Sequence, residues 1–230
     1  LMQSIDTSSS GNIKNVKVDY FHELSNCRLQ LSYNIYGNGM VKLKQTLYPS
    51  GSNLPELPRF GMKTTIPSSF NSLEWFGRGP HESYWDRKSS ARIDRFAGKV
   101  WDQTFKYVRP QETGNKTDVR WMAMYNGSVG IMAKGIPFFD GSVHHYNYAN
   151  LYHAKGSQLH GAVDIKKENQ IDWLIDFKQM GVGGDNSWGA KPHKKYTLPM
   201  DTSTYSLEYV LIPFSQKNQL EELARINLDD

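Results

Sequence analysis

The sequence is short of the residues that build covalently held or metal-held folds. It has one cysteine, Cys27, so no internal disulfide can form, and its alternating surroundings suit a buried free thiol. No apolar run approaches the roughly 18 residues a membrane helix needs. Charge of neither sign dominates: 27 Lys and Arg against 23 Asp and Glu leave +4, and the cations are interspersed with acids, which argues against a nucleic-acid partner. The start, LMQSIDTSSSGN, has no basic, apolar leader and reads as a boundary within a longer polypeptide. Activated-serine and phosphate-cradling patterns are also missing. His144, His145 and His153 invite a metal, but adjacent histidines diverge on a strand and no Cys, Asp or Glu falls at a closing spacing. No metal or cofactor is therefore assigned to this chain.

What is present is β-structure and aromatic surface. The 230 residues suffice for one large domain with a sizeable core, and 13 Tyr, 10 Phe and 6 Trp supply flat amphipathic side chains that suit either a core or sugar stacking. Period-two alternation over 27–36, 40–48, 119–125, 170–177 and 205–213 predicts half-buried strands. GNG at 37–39 and NG at 126–127 predict hairpins, and hence antiparallel pairing. Only 216–226 carries helical spacing, which predicts one terminal helix. The expected fold is all-β, a large antiparallel β-sandwich with long loops at one edge.

Those loops hold the candidate chemistry. After Gly-Arg-Gly-Pro, His81, Glu82, Asp86 and Arg87 crowd one turn; neighbours on a strand face opposite ways, so ion pairs tying the loop down are a better reading than a His81–Glu82 proton-transfer dyad. In RPQETGNKTDVRW (109–121), Arg109, Glu112, Asn115, Lys116, Asp118 and Arg120 flank one glycine, a polar cluster fit for a sugar cleft or a domain interface. GVGGDNSWG (181–189) puts Trp188 on a supple loop that Asp185 and Asn186 can hold by local side-chain bonds. An exposed tryptophan needs a cover, and a sugar or a neighbouring domain would supply one.

Together LPRFGM (57–62), GRGPHESYWDR (77–87), RPQETGNKTDVRW (109–121) and GVGGDNSWG (181–189) resemble, in order, the motifs of the C-terminal small-chain domain of family 2 glycoside hydrolase β-galactosidases. The resemblance runs from about residue 15 to about 215. It implies a supersandwich shared with galactose mutarotases, residues 15–230 as the domain, and 1–14 as an upstream linker or the remnant of a preceding domain. It also implies that two catalytic glutamates of a retaining mechanism lie on a preceding barrel, for which this chain has no room, so the isolated chain is expected to be inactive. Magnesium and sodium would likewise belong to the barrel.

By the same resemblance Trp188 forms an aromatic platform for galactoside, with Asp185 and Asn186 supporting its loop. Partners would be the barrel and other domains of the same polypeptide, and a homo-oligomeric parent in the cytoplasm or periplasm is compatible. Asn186 and Thr113 replace a typical Asp and Asn, which is expected to loosen their loops. Two other readings stay open. One is a free-standing aldose 1-epimerase, a mutarotase using His144, His145, Glu82 and Glu112 as acid and base; the other is a non-catalytic carbohydrate-binding module.

Overall fold

A computed structural model of the chain describes residues 1–49, 54–108, 111–152, 154–155, 158–159, 165–201 and 203–227. In chain order the strands are β1 (Met2–Ser10), β2 (Ile13–His22), β3 (Cys27–Tyr36), β4 (Val41–Tyr48), β5 (Arg59–Pro67), β6 (Ser72–Gly79) and β7 (Arg92–Lys99). They continue with β8 (Lys116–Asn126), β9 (Val129–His144), β10 (Ala154–Lys155), β11 (Gln158–Leu159), β12 (Gln170–Gln179) and β13 (Tyr205–Phe214). Both predicted hairpins form: β3 pairs with β4 around Gly39, and β8 with β9 around Gly127, each glycine in the left-handed region.

All strands except the short β10–β11 pair belong to one antiparallel sheet, in the order β1-β2-β3-β4-β13-β9-β8-β6-β7. The sheet becomes a sandwich because β9 is long enough to change partners. Gly130–Gly135 of β9 pairs with β13, whereas Asp140–His144 pairs with β12, which carries β5 on its far edge. The branches then face each other across a core in which Leu43, Leu207 and Tyr209 meet Phe60, Ile171 and Trp173. Tyr209 spans the layers by donating from its hydroxyl to Met62 Sδ at 3.3 Å.

Residues 1–14 contain β1, which pairs with β2 along its length and is exposed throughout. The terminal helix is shorter than expected: a 3-10 turn at Lys217–Gln219 leads into α1 (Leu220–Leu223). This stretch has only one face to bury. Leu220 enters a second apolar cluster behind β8, β9 and β13, together with Trp121, Val210 and Phe214. Cys27 is a buried free thiol.

Strands β8 and β12 depart from the half-buried expectation. Nearly every residue of Ile171–Asp176 is buried, including Asp172 and Asp176. The aspartates there do not meet water; the neighbouring strand β5, together with the backbone of Tyr148, supplies their partners. Asp172 receives Lys63 Nζ at 3.0 Å, Thr65 Oγ1 at 2.9 Å and Tyr148 N at 2.9 Å.

Candidate functional site

Arg59 at the start of β5 and Gln179 at the end of β12 form the floor of an open cleft of about 1000 Å³. Its organising cation is Arg59. Nη2 and Nε donate to Asp176 Oδ2 at 2.7 and 3.1 Å, and Nη1 donates to Tyr148 Oη at 2.7 Å. Glu112 Oε1 lies 3.7 Å from Nη1 and accepts from the Tyr148 hydroxyl.

Two local devices make this floor possible. Phe177 is an extra residue between the pairs Asp176–Gly61 and Lys178–Phe60. This bulge lets Asp176 and Gln179, three apart and otherwise on opposite faces, both approach Arg59. Gly61 leaves room for the aspartate: a Cβ there would stand 2.0 Å from Asp176 Oδ1 and 2.5 Å from Ile175 O. Burial raises the Asp176 carboxyl to about 6, with Arg59 pulling it back, while burial opposes the charge on Arg59 but Asp176 and Glu112 outweigh it.

One wall is the loop after β6, and Glu82 is its hub. Its carboxylate accepts from Gly114 N at 2.8 Å, Tyr84 Oη at 3.3 Å and Arg87 Nη2 at 2.6 Å, and from the Tyr107 hydroxyl. Of the ion pairs expected of Glu82, Asp86 and Arg87, the structure shows Glu82 with Arg87, while Asp86 is engaged by a backbone amide instead. His81 is exposed, and among the described residues its ring hydrogen-bonds with the Glu82 carbonyl at 3.0 Å. Asp86 serves the opposite wall, accepting from Gly183 N at 2.9 Å through Oδ2.

That opposite wall is the base of GVGGDNSWG. Gly181 N donates to Tyr196 O at 2.8 Å. Gly184 is pressed against the returning chain, where a Cβ would lie 2.1 Å from Ala190 O, and Gly189 at φ +95° turns the chain back. Asp185 pairs with His193 at 2.7 Å, and Asn186 Oδ1 accepts from Trp188 N at 2.8 Å. Trp188, at the tip, is 92% exposed.

Asn186 and Thr113, the two departures from the resembled motifs, each make local hydrogen bonds in their loops. Asn186 closes its turn, and Thr113 Oγ1 both accepts from Phe105 N at 2.7 Å and donates to Phe105 O at 3.0 Å.

Of the other residues singled out from sequence, Glu112, Asp86, Arg87 and Asp185 reach the cleft. Asn115 does not; it is buried, donating from Nδ2 to Ser83 O at 2.8 Å, and braces the wall from behind. Arg120 points to another groove, its guanidinium over the rings of Phe76 and Phe138. Lys116 is buried over the Trp75 ring, and burial lowers it to about 8 against the pull of Glu82. Asp118 is paired with Arg78 and Lys88. Arg109 and His153 lie outside the described residues.

His144 and His145 are buried rather than in the cleft, and burial with the Arg59 charge lowers His144 to about 3, keeping it neutral. Its ring lies 5.2 Å from those of Tyr146 and Tyr148, so it buttresses the Tyr148 that holds Arg59. The four residues of the epimerase reading are thus not gathered at one surface. Among the described residues no three His, Cys, Asp or Glu side chains converge as metal ligands.

Sequence reasoning missed Arg59, Asp176, Tyr107 and Tyr148 as cleft builders. The available signal was an aspartate recurring every fourth residue in an otherwise apolar strand, at 172 and 176.

Fold and site together define a β-sandwich domain that displays a tryptophan-tipped loop beside a polar, tyrosine-rich cleft. A solved structure shares the fold: the galactosidase domain of alpha-galactosidase-sucrose kinase, AgaSK, superposes with a TM-score of 0.53 at 8% identity, covering 94% of this chain and 28% of that one. The chain belongs to the family described as beta galactosidase small chain, whose model matches residues 2–211. It is similar to the beta-galactosidase of Priestia megaterium, 38% identical over 200 residues, and to that of Vibrio cholerae, 33% identical over 194. The matches take in 85% and 84% of this chain but only 19% and 18% of those proteins, so it spans about a fifth of the length of these relatives. No helix among the described residues is long and apolar enough to cross a membrane.

Proposed function

We propose that this chain is the last domain of a family 2 β-galactosidase that hydrolyses terminal β-galactosides by a retaining mechanism. The domain docks on the catalytic barrel and lends Trp188 to the substrate site. In this reading both glutamates that carry out the chemistry reside on the barrel, one as acid/base and one as nucleophile. The chain by itself then hydrolyses nothing. In this reading magnesium and sodium belong to the barrel; among the described residues no three His, Cys, Asp or Glu side chains of this chain converge as metal ligands.

The observation that carries the reading is Trp188, 92% exposed at the tip of a loop whose base is pinned by Asp86 and Tyr196. Such a ring offers a flat apolar face where it can receive the C–H face of a pyranose, while its anchored base limits the ordering entropy lost on contact. Asn186 sets the direction of the tip and Asp185 holds the loop to His193.

The test is kinetic, in the intact enzyme that contains this domain. Trp188→Ala is expected to weaken galactoside transition-state binding by about 1–3 kcal/mol, the scale of losing an aromatic anchor. Unchanged kcat/KM across several galactosides refutes the platform role. The purified 230-residue chain is expected to leave a chromogenic β-galactoside intact.

A further inference from the structure

We propose that Asn126 is a site of covalent modification, where the fold leaves an Asn-Gly step free to cyclise and convert to isoaspartate. The sequence has two such steps, Asn38–Gly39 and Asn126–Gly127, and each lies in a hairpin. The dipeptides are identical, so any difference in their chemistry comes from the structure around them.

The reaction needs the backbone nitrogen of the glycine to reach the asparagine side chain. That nitrogen gives up its proton and attacks the side-chain carbonyl carbon; a new C–N bond forms, the bond to the amide nitrogen breaks, and ammonia leaves with the proton. Water then opens the five-membered succinimide. Attack at the side-chain carbonyl returns aspartate, whereas attack at the more electrophilic backbone carbonyl leaves a free α-carboxylate and a chain that runs through the side-chain carbon. Water is consumed and ammonia released, with no change of oxidation state. Glycine favours the ring because it has no side chain to obstruct it.

At Asn38–Gly39 both reactants are held. Gly39 N donates to Tyr36 O at 2.9 Å, and Asn38 Oδ1 accepts from Met40 N at 3.1 Å. The glycine is also packed, since a Cβ there would stand 3.2 Å from Pro213 Cγ on β13. Cyclisation would break both hydrogen bonds and turn the peptide against that ring.

At Asn126–Gly127 these restraints are missing. Neither the Asn126 side-chain amide nor Gly127 N has a hydrogen-bond partner among the described residues. A Cβ on Gly127 would meet nothing within 4 Å, and both residues are exposed. The site also has a structural consequence. Asn126 closes the β8–β9 ladder opposite Val129, next to the pair Tyr125–Gly130. Isoaspartate lengthens the backbone by one carbon at that point, so the last pair cannot keep its register. Tyr125 belongs to the apolar cluster that seats Leu220, so the change falls at the support of α1.

The test is peptide mapping of the 230-residue chain aged at mildly alkaline pH, folded and in denaturant. Trypsin places Asn126 in the peptide 121–134 and Asn38 in 29–42, and fragment ions assign the converted residue. Dividing each folded rate by the same site's rate in denaturant removes the influence of neighbouring sequence. That ratio is expected to be at least tenfold higher at Asn126 than at Asn38, with isoaspartate in excess of aspartate at 126. Asn126→Gln, which would need a larger ring, is expected to lose most of the acidic species that the folded chain accumulates on ion exchange. Ratios within threefold of each other overturn the proposal, as does an Asn126 that converts in denaturant but not in the folded protein. An acidic species undiminished in Asn126→Gln overturns it too.

Discussion

Removing Arg59 tests whether the cleft floor is held by one buried charge pair. Asp176 is almost wholly buried, and Arg59 donates to it twice as well as holding Tyr148. Arg59→Met keeps most of the aliphatic stem and leaves the carboxylate without its cation. Breaking a buried pair from one side costs about 3–5 kcal/mol, because the remaining charge stays desolvated. In a domain of this size about 1 kcal/mol shifts Tm by roughly 2–4 °C, so a drop of roughly 6–20 °C is expected at pH 8.

The pH dependence identifies the cause. In the wild type the folded Asp176 carboxyl is raised to about 6 from an ordinary 3.8. The folded state therefore holds that proton more tightly than the unfolded chain, and stability falls as pH rises from about 4 to about 6. Without Arg59 the carboxyl rises further and this window extends upward. The variant's deficit should be smaller at pH 5, where Asp176 is neutral, than at pH 8. Pairing Arg59→Met with Asp176→Leu should recover most of the loss, since an apolar pair of similar volume needs no charge compensation. Denaturant melts of the wild type, each single variant and the double variant at both pH values decide the matter. A deficit below about 1 kcal/mol at pH 8, or equal deficits at the two pH values, refutes the buried-pair argument.

Three further outcomes follow from the same structure. Gly61→Ala sets a Cβ against the Asp176 side chain and the Ile175 carbonyl, so a loss of about 3 kcal/mol or more is expected in denaturant melts; a loss under about 1 would mean β5 and β12 part easily. Asp140 is raised to about 7, chiefly by burial, so its ionisation weakens the fold as pH climbs from about 4 to 7. Asp140→Asn should match the wild type at pH 4 and exceed it at pH 8 by about 1–4 kcal/mol, and equal stability at both values would contradict this. Trp188→Ala should leave the melting of the 230-residue chain within about 0.5 kcal/mol of wild type, because the ring touches little of its own domain; a larger loss would mean it packs.

Strand identity, hairpins and fold class were legible because they rest on local rules. Alternation over 27–36 and 205–213 and the glycine turns at 39 and 127 reported the pleat and the reversals directly. The four loop motifs reported the family for the same reason: each is a contiguous run whose glycines and acids have local work to do. The structure altered the meaning of polarity. Asp172 and Asp176 read as a solvent face, yet they are buried, because their partners Lys63 and Arg59 come from another strand, more than a hundred residues away in the chain.

GVGGDNSWG marks the same division. Its composition determined that the loop could turn sharply and that a large ring would sit on it. Only tertiary structure decided that the base is clamped by Asp86 from the loop after β6 and by Tyr196, while the tip stays free. Only tertiary structure, likewise, drew Glu112 and Tyr148 onto Arg59 and sent Arg120 to a different groove. A sequence specifies what each short segment can do at its own position, but a charge pair across β5 and β12 depends on register, and the bulge at Phe177 sets that register.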